Sequence, residues 1–195
     1  MIRAKGKAIV WLLVVVGLIL FIGVVIVLWG VGIYNGIIKR EQDVKEGWAQ
    51  VESLLKRRWD LIPNYVEVVK GYMKHERELL TRVTEARARV GGASSVSERI
   101  SAEGELSGLL SRLLMVAENY PQLKANQNFI RLQDELAGTE NRIAVARMRY
   151  NERVKNFNKY IKIFPNRIIA RMMAVEEAVF FKVPEAEKEP PKVKF

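Results

Sequence analysis

Four polar residues toward the C-terminal end of the chain have the spacing of one helix face. Glu140, Arg147, Asn151 and Asn158 are separated by 7, 4 and 7 positions, and residues so spaced lie above one another on an α-helix. This face borders a stripe of apolar residues, so its members are predicted to be partly buried. Five further polar residues are predicted to meet it from other helices: Arg57, Arg58, Asp60, Asn64 and Glu118.

This polar set has two interpretations. Its members can bind one another and fix the register of the helices, in which case each unpaired member would be costly. Alternatively, they can line a groove that binds a peptide, a lipid headgroup or another anion. We take the structural network as the default and the binding groove as the alternative hypothesis.

The sequence lacks the recognised motifs of enzymatic and metal-binding sites. The chain has no cysteine and one histidine, His75, whereas thiolate and imidazole metal sites need several such ligands. The residue three before His75 is Tyr72, so the Glu-x-x-His pair of di-iron bundles is also excluded. No serine elbow or phosphate-binding glycine loop occurs. The sequence predicts no enzyme and no cofactor, with His75 on the surface.

Basic residues are concentrated between Arg147 and Arg171, a stretch with eight basic residues and one acidic residue, Glu152. The whole chain carries a formal charge of +10. No recognised nucleic-acid module with stacking aromatic residues accompanies them, so nucleic acid is not an expected partner. The helix lengths place this end far from a membrane. A solvated face or a protein-partner surface is therefore predicted here.

The run from Ala8 to Val31 contains 24 residues without a charge, and about 20 apolar residues suffice to cross a bilayer as a helix. A cleaved secretory signal would have a shorter apolar core and a small-x-small site after it. Trp11, Trp29 and Tyr34 lie where aromatic residues meet lipid headgroups. The run therefore predicts a membrane anchor in contact with the lipid bilayer.

The direction of the anchor is nearly undetermined by charge. Three basic residues and the α-amine precede it, and Lys39, Arg40 and Lys45 follow it, so the count narrowly favours a cytoplasmic N-terminus. Gly32 and Gly36 form a GxxxG pair, which permits two anchors to approach closely or simply loosens the helix at the interface.

Apolar residues at alternating steps of three and four predict the helices that follow. The first runs from Val44 to about Val90; Pro63 either kinks it or begins a new helix with Asp60 as its cap. The stripe of this first helix is Val44, Trp48, Val51, Leu55, Trp59, Ile62, Val66, Val69, Met73, Leu80 and Val83. The second begins at Ser95, which forms a capping-box pattern with Glu98, and ends before Pro121. Asn126 is predicted to cap the third. The stripe of this third helix is Phe129, Leu132, Leu136, Thr139, Ile143, Ala146, Tyr150, Val154, Phe157, Ile161 and Phe164.

These elements predict an all-α fold: an N-terminal transmembrane helix, then an antiparallel up-and-down bundle of three long helices plus a short fourth after Pro165. The second helix is too short to match the first unless residues 120–126 run extended. The predicted divisions are a basic flank (1–7), an anchor and interface (8–36), the bundle (37–183) and a disordered tail (184–195).

The chain resembles the LemA family in several short motifs rich in polar residues, which occur in the same order along the chain. They include Lys56-Arg57-Arg58, Asp60-Leu61-Ile62-Pro63-Asn64, Val69-Lys70-Gly71-Tyr72, Glu118-Asn119-Tyr120-Pro121-Gln122-Leu123-Lys124-Ala125-Asn126, Thr139-Glu140-Asn141-Arg142-Ile143-Ala144, Tyr150-Asn151 and Phe164-Pro165. The resemblance implies a membrane-anchored bundle of four helices without an established catalytic activity. It also implies a domain usually supposed cytoplasmic, and some similar proteins are linked to organelle-like membranes in magnetic bacteria.

The function expected from these features is that of a non-enzymatic single-pass membrane protein. It would present its bundle as a scaffold or protein-interaction module, with a protein partner or a second copy of itself. The alternative hypothesis is a membrane-anchored sensor that binds a small anionic ligand or a peptide in a polar groove.

Overall fold

The computed structural model describes residues 2–73 and 75–181, and for residues 2–10 it describes the backbone alone. This part of the chain is helical and has no strand, which confirms the predicted fold class. The predicted tail, 184–195, lies outside the described residues. The helices are α1 (Ile2–Lys70), α2 (Arg77–Gly92), α3 (Val96–Ala117), α4 (Pro121–Lys124), α5 (Gln127–Lys162) and α6 (Asn166–Met172).

The chain divides into two compact units. The anchor unit comprises Met1–Asp43 and Asn156–Glu177, and the bundle unit comprises Val44–Lys155 and Ala178–Phe195. Helices α1 and α5 each contribute residues to both. α1 continues through Tyr34 without a break.

In the anchor unit, the apolar part of α1 has no protein around it. Side chains from Trp11 to Val31 are exposed apart from the half-buried Gly30, and α1 is the one helix among the described residues that is long and apolar enough to cross a membrane. Burial begins immediately afterwards, at Ile33 and Ile37. The predicted membrane-spanning segment is therefore followed at once by packed protein.

Gly36 lies where α5 packs on α1. A Cβ atom at this position would collide with the hydroxyl of Tyr160, and the Arg40 guanidinium lies 3.7 Å from the centre of the Tyr160 ring. The chain's own α5 therefore covers the Gly36 end of the GxxxG pair, whereas Gly32 has open space around it.

The same contact corrects a sequence prediction. The basic run was expected to lie far from the membrane. Its residues in the anchor unit instead lie near the end of the apolar run, because Tyr160 of α5 contacts α1 at Gly36, five positions after Val31. The prediction was wrong because the chain makes one more reversal before α5 than the apolar pattern indicated.

That extra reversal divides the predicted first helix. α1 continues through Pro63 and ends at Lys70, and α2 begins at Arg77. The amides of Tyr72 and Met73 both donate to the carbonyl of Val69, which closes the helix, and Gly71 is a weak helix former at that point. The pattern concealed the break because Met73 and Leu80 are seven positions apart and keep the helical phase.

The bundle unit is an up-down-up-down arrangement of four helical segments. Trp59 and Arg87 exchange side-chain to backbone hydrogen bonds of 3.3 and 3.1 Å, which sets α2 antiparallel to α1. Arg99 pairs with Glu52 and Ser107 with Arg58, so α3 runs parallel to α1. The rings of Tyr65 and Phe129, with centres 5.4 Å apart and planes tilted by 34°, belong to the antiparallel α1–α5 pair.

Local sequence signals fix the helix ends. Ser95 caps α3 by accepting from the Glu98 amide, as predicted, while the Glu98 carboxylate accepts from Ser94. The Asn126 side chain accepts from the amides of Asn128 and Phe129 at the start of α5. The expected extended link at 120–126 is wrong: α4 forms there, because a fourth long segment makes an extended connection unnecessary.

The buried face of α1 differs slightly from the predicted stripe. Its inward positions are Val51, Leu55, Arg58, Ile62, Tyr65 and Val69. Trp59 and Val66, which the stripe included, lie at the edge of the core. The α5 stripe is buried or half-buried from Phe129 to Ile161, but Phe164 is 82% exposed because α5 has ended at Lys162.

Candidate functional site

The predicted polar set is not one network in the structure. It separates into a buried cluster around Arg58 and a groove around Asn151, both in the bundle unit. The remaining predicted residues lie elsewhere, most of them on the surface.

Arg58 is the centre of the first group and is only 2% exposed. Its Nη1 donates to the hydroxyl of Ser107 at 2.8 Å and to the carboxylate of Glu140 at 2.6 Å. Its Nη2 donates to Glu103, which is as buried as Arg58 itself. We call these four residues the Arg58 cluster. They join α1, α3 and α5 at a single level of the bundle.

The cluster places two carboxylates around one guanidinium. Burial raises the pKa of the Glu103 carboxyl, and the neighbouring charge of Arg58 opposes that shift. Charge inside a protein is tolerated only when it is paired and hydrogen-bonded. Removing Arg58 would leave the buried Glu103 carboxylate without its cation, whereas Glu140 is half exposed.

A cavity of about 320 Å³ lies beside the cluster. Its lining combines polar groups, including Arg58, Ser107, Ser111 and Asn141, with leucine side chains of α3 and α5. Tyr65 also lines it and is fully buried, and neither its hydroxyl nor the Arg58 Nε has a hydrogen-bond partner among the described residues. Burial raises the pKa of Tyr65.

Asn151 belongs to the second group, which holds residues 178–181 of the same chain. The Asn151 Nδ2 donates to the carbonyl of Phe181 and its Oδ1 accepts from the Phe181 amide, both at 2.8 Å. The Tyr150 hydroxyl donates to the carbonyl of Val179, also at 2.8 Å. One amide side chain therefore pairs with both backbone groups of a residue, much as a neighbouring β-strand does.

The Phe181 side chain is buried in the same place, at 3% exposure. The centre of its ring lies 6.3 Å from that of Trp48 and 4.2 Å from the Arg147 guanidinium. Trp48 also packs on Tyr150, with 5.6 Å between ring centres, and burial raises the pKa of Tyr150. We call Trp48, Arg147, Tyr150 and Asn151 the Asn151 groove, and residues 178–181 the docked segment.

The other predicted members stand apart from both groups. Arg57 pairs with Glu135 at 2.8 Å on the surface, Asp60 with Lys56 at 3.5 Å, and Glu118 with Lys124. Asn64 is exposed. Asn158 is buried in the anchor unit, and Trp11, Trp29 and Tyr34 lie on the exposed surface of α1.

The sequence contained signals for the residues that the prediction missed. Glu103 occupies the core phase of α3, between Ile100 and Leu106, where an acidic residue has to find a buried partner. Trp48 was recognised as apolar but not as part of a site. Phe181 gave no periodic signal, since the docked segment is not helical.

The described residues include no group of three or more His, Cys, Asp or Glu side chains that could hold a metal ion. His75 lies exposed in the connection between α1 and α2, as predicted. Neither the Arg58 cluster nor the Asn151 groove contains a nucleophile paired with a base.

Comparison with known proteins gives a family match and several distant relatives. The sequence profile of the LemA family matches residues 47–195. Protein LemA of Metamycoplasma hominis is 21% identical over 159 residues, covering 81% of this chain and 73% of that protein. Magnetosome protein MamQ 2 of Paramagnetospirillum magneticum is 20% identical over 178 residues, covering 76% and 64%. Magnetosome protein MamQ of Magnetospirillum gryphiswaldense is 18% identical over 174 residues, with the same coverage. The chain thus spans just under two thirds of the magnetosome relatives' length.

Proposed function

We propose that this chain, which belongs to the LemA family, is a membrane-anchored interaction module that binds an extended polypeptide segment. In this proposal residues 8–36 cross the membrane once and residues 37–183 form the bundle that carries the binding groove. The protein acts by holding a partner at the membrane and carries out no catalytic step.

The observation that carries the proposal is the pairing between Asn151 and the backbone of Phe181. Hydrogen bonds to backbone groups provide affinity for any extended chain, while a side-chain pocket provides selectivity. Here the pocket between Trp48 and Arg147 holds a phenyl ring. The groove therefore suits an extended segment with an aromatic residue at the position of Phe181.

The docked segment supports this reading of the groove. Val179 and Phe180 are partly exposed, at 46% and 41%, and the hydrogen bond from Tyr150 goes to the backbone carbonyl of Val179. A segment from another protein could satisfy the same contacts with a different sequence around the aromatic residue. In such a complex the chain's own segment would have to leave the groove.

A peptide of residues 176–183 tests the groove directly. The experiment uses the full-length protein in detergent. The Phe181→Ala substitution should weaken the attachment of the docked segment to the groove, and we expect this variant to bind the fluorescently labelled peptide. Adding Asn151→Leu should abolish binding, because both backbone hydrogen bonds are lost. Adding Asn141→Leu, which changes an exposed asparagine of the same helix, is the matched control.

Two results would contradict the proposal. One is absence of peptide binding to the Phe181→Ala variant while its helical content stays intact. The other is binding that the Asn151 substitution leaves unchanged.

The cavity beside Arg58 supports a second candidate function, the binding of a small ligand. Its specific evidence is the buried Tyr65 hydroxyl, which has no hydrogen-bond partner among the described residues. Because the lining contains one guanidinium, Arg58, and one carboxylate, Glu140, which pair with each other, the cavity favours a neutral ligand over the anion expected from the sequence. Under this hypothesis Tyr65→Phe would abolish ligand-induced thermal stabilisation while leaving the unliganded protein at least as stable. Equal stabilisation of both proteins by ligand would contradict it.

A further inference from the structure

The junction of α5 and α6 combines exposed apolar and basic side chains. We call residues 159–172 the basal corner. Phe164 is 82% exposed and Met172 78%, and Ile163 and Ile168 are also exposed. Four basic residues are interleaved with them, namely Lys159, Lys162, Arg167 and Arg171, and this stretch contains no acidic residue.

The basal corner lies close to the end of the apolar run within the anchor unit. Tyr160 contacts α1 at Gly36, which follows Val31 by five positions, or about 7.5 Å along a helix. The side-chain amide of Asn166 donates to the Tyr160 carbonyl at 3.1 Å and fixes the start of α6 to the same place. The headgroup layer of a bilayer adds roughly 5 to 7 Å on each side of its hydrocarbon core.

Basic groups from α1 extend this surface. A cleft of about 430 Å³ is lined by Lys39 and Arg40 of α1 together with Lys159 and Tyr160 of α5. Acidic residues are present nearby: Asp43 lines this cleft, and Glu177 pairs with Lys162 at 2.7 Å. Exposed side chains of Lys159, Arg167 and Arg171 keep the excess positive.

We propose that the basal corner is a second membrane contact that recognises anionic lipid headgroups. Phe164 and Ile168 enter the boundary between headgroups and acyl chains, and the neighbouring cations contact lipid phosphates. Exposed aromatic and aliphatic groups beside Lys and Arg are the features by which surface-bound helices attach to anionic bilayers. This inference goes beyond peptide binding and rests on the membrane crossing proposed above.

A protein partner fits this surface less well than a bilayer does. The exposed apolar side chains follow closely after Tyr160, which contacts α1 near the end of its apolar run, so a bilayer that surrounds the run would reach them without any further component. The contact would also fix the angle of α1 to the membrane surface, because one end of α5 would be held there.

Fluorescent labels at single cysteines test how deeply the basal corner enters the bilayer. Single labels are possible because the natural chain has no cysteine. Full-length protein carrying Phe164→Cys or Ile168→Cys is placed in nanodiscs of phosphatidylcholine, with or without phosphatidylglycerol, and a doxyl lipid quencher is added. We expect quenching at both positions when phosphatidylglycerol is present. Leu20→Cys in the apolar run is the positive control, and Met115→Cys, exposed on α3, is the negative control.

Charge removal tests lipid selectivity. Substitution of Lys159, Lys162, Arg167 and Arg171 by glutamine should lower the preference for spin-labelled phosphatidylglycerol over phosphatidylcholine by at least about fivefold, the effect of one cation near an anionic surface. A control variant with the same change of net charge replaces four exposed cations of the bundle unit by glutamine: Lys70, Arg77, Arg82 and Arg112.

The outcomes are distinguishable. If the Leu20 label is quenched while labels at 164 and 168 respond like that at 115, the corner is not a membrane contact and the crossing stands. If the Leu20 label is not quenched, the proposed crossing fails and this inference with it. Equal quenching at 164 in both lipid mixtures, unaffected by the glutamine substitutions, would overturn the recognition of anionic lipid.

Discussion

The Arg58 cluster and the Asn151 groove use residues of the same face of α5 for different purposes. Arg58 joins side chain to side chain, with every partner on a helix of the bundle. Asn151 instead joins a side chain to backbone, and its partner lies in a non-helical segment. The first arrangement specifies particular residues in particular places, whereas the second specifies an extended conformation. We therefore interpret the cluster as a permanent part of the fold and the groove as exchangeable.

Arg58→Leu should have the largest effect on stability. The substitution leaves the buried Glu103 carboxylate without its cation, and breaking a buried ion pair in this way costs about 3 to 5 kcal/mol. Urea unfolding of the full-length protein in detergent, followed by helical circular dichroism, measures the loss. Arg58→Leu combined with Glu103→Leu should recover most of it, because no unpaired buried charge remains. A double variant as unstable as the single one would contradict this explanation.

Asn151→Ala should cost less, about 1 to 3 kcal/mol, which is the range for leaving buried hydrogen-bonding groups unsatisfied. Proteolysis near residues 178–181 should become faster while the helices stay protected.

Glu140 and Asn151 are 11 positions apart on α5, roughly 16 Å. The effects of Arg58→Leu and Asn151→Ala should therefore add to within about 0.5 kcal/mol. Strong coupling between them would mean that cluster and groove form one network after all.

The pH dependence of stability should distinguish the cluster from the groove, which contains no carboxylate. Burial raises the pKa of Glu103 above its ordinary value of 4.5, so the folded protein retains that proton to higher pH than the unfolded chain. Retention of this proton contributes its full stabilisation of the folded protein below pH 4.5. The contribution is lost as pH rises through the folded-state pKa of Glu103, and the free energy of unfolding falls by at most about 1.4 kcal/mol per pH unit.

Unfolding measured across this range should show the decline for the natural chain and for Glu105→Gln, which changes a half-exposed carboxylate two positions away. In Glu103→Gln the free energy of unfolding should no longer decline with rising pH. An unchanged slope in Glu103→Gln would assign the pH dependence to another group.

Arg57→Leu should have the smallest effect. Arg57 is adjacent to Arg58 in sequence, but its pair with Glu135 is half exposed on both sides, and exposed pairs contribute about 0 to 1 kcal/mol. Urea unfolding of this variant, measured beside Arg58→Leu, compares the two arginines directly. A loss as large as that of Arg58→Leu would show that burial does not explain the importance of Arg58.

The helical class, the caps at Ser95 and Asn126 and most of the α5 core follow from local patterns, which the sequence contains in full. The break after Lys70 does not, because Met73 and Leu80 keep one helical phase across it. The inward position of Arg58 was hidden by the neighbouring Trp59, which suits the same apolar stripe. The pairing of Asn151 with the docked segment depends on contacts across some 30 positions of sequence, and no periodicity reports such contacts.

Hydrogen exchange at the backbone amide of Phe181 tests the central claim most directly, because this amide donates to the Asn151 side chain. It is measured on the full-length protein with and without an excess of the 176–183 peptide. We predict that the peptide removes protection at Phe181 and leaves the amide of Ile143, in the α5 core, unchanged. Protection at Phe181 that persists in excess peptide and disappears only with global unfolding would contradict an exchangeable groove.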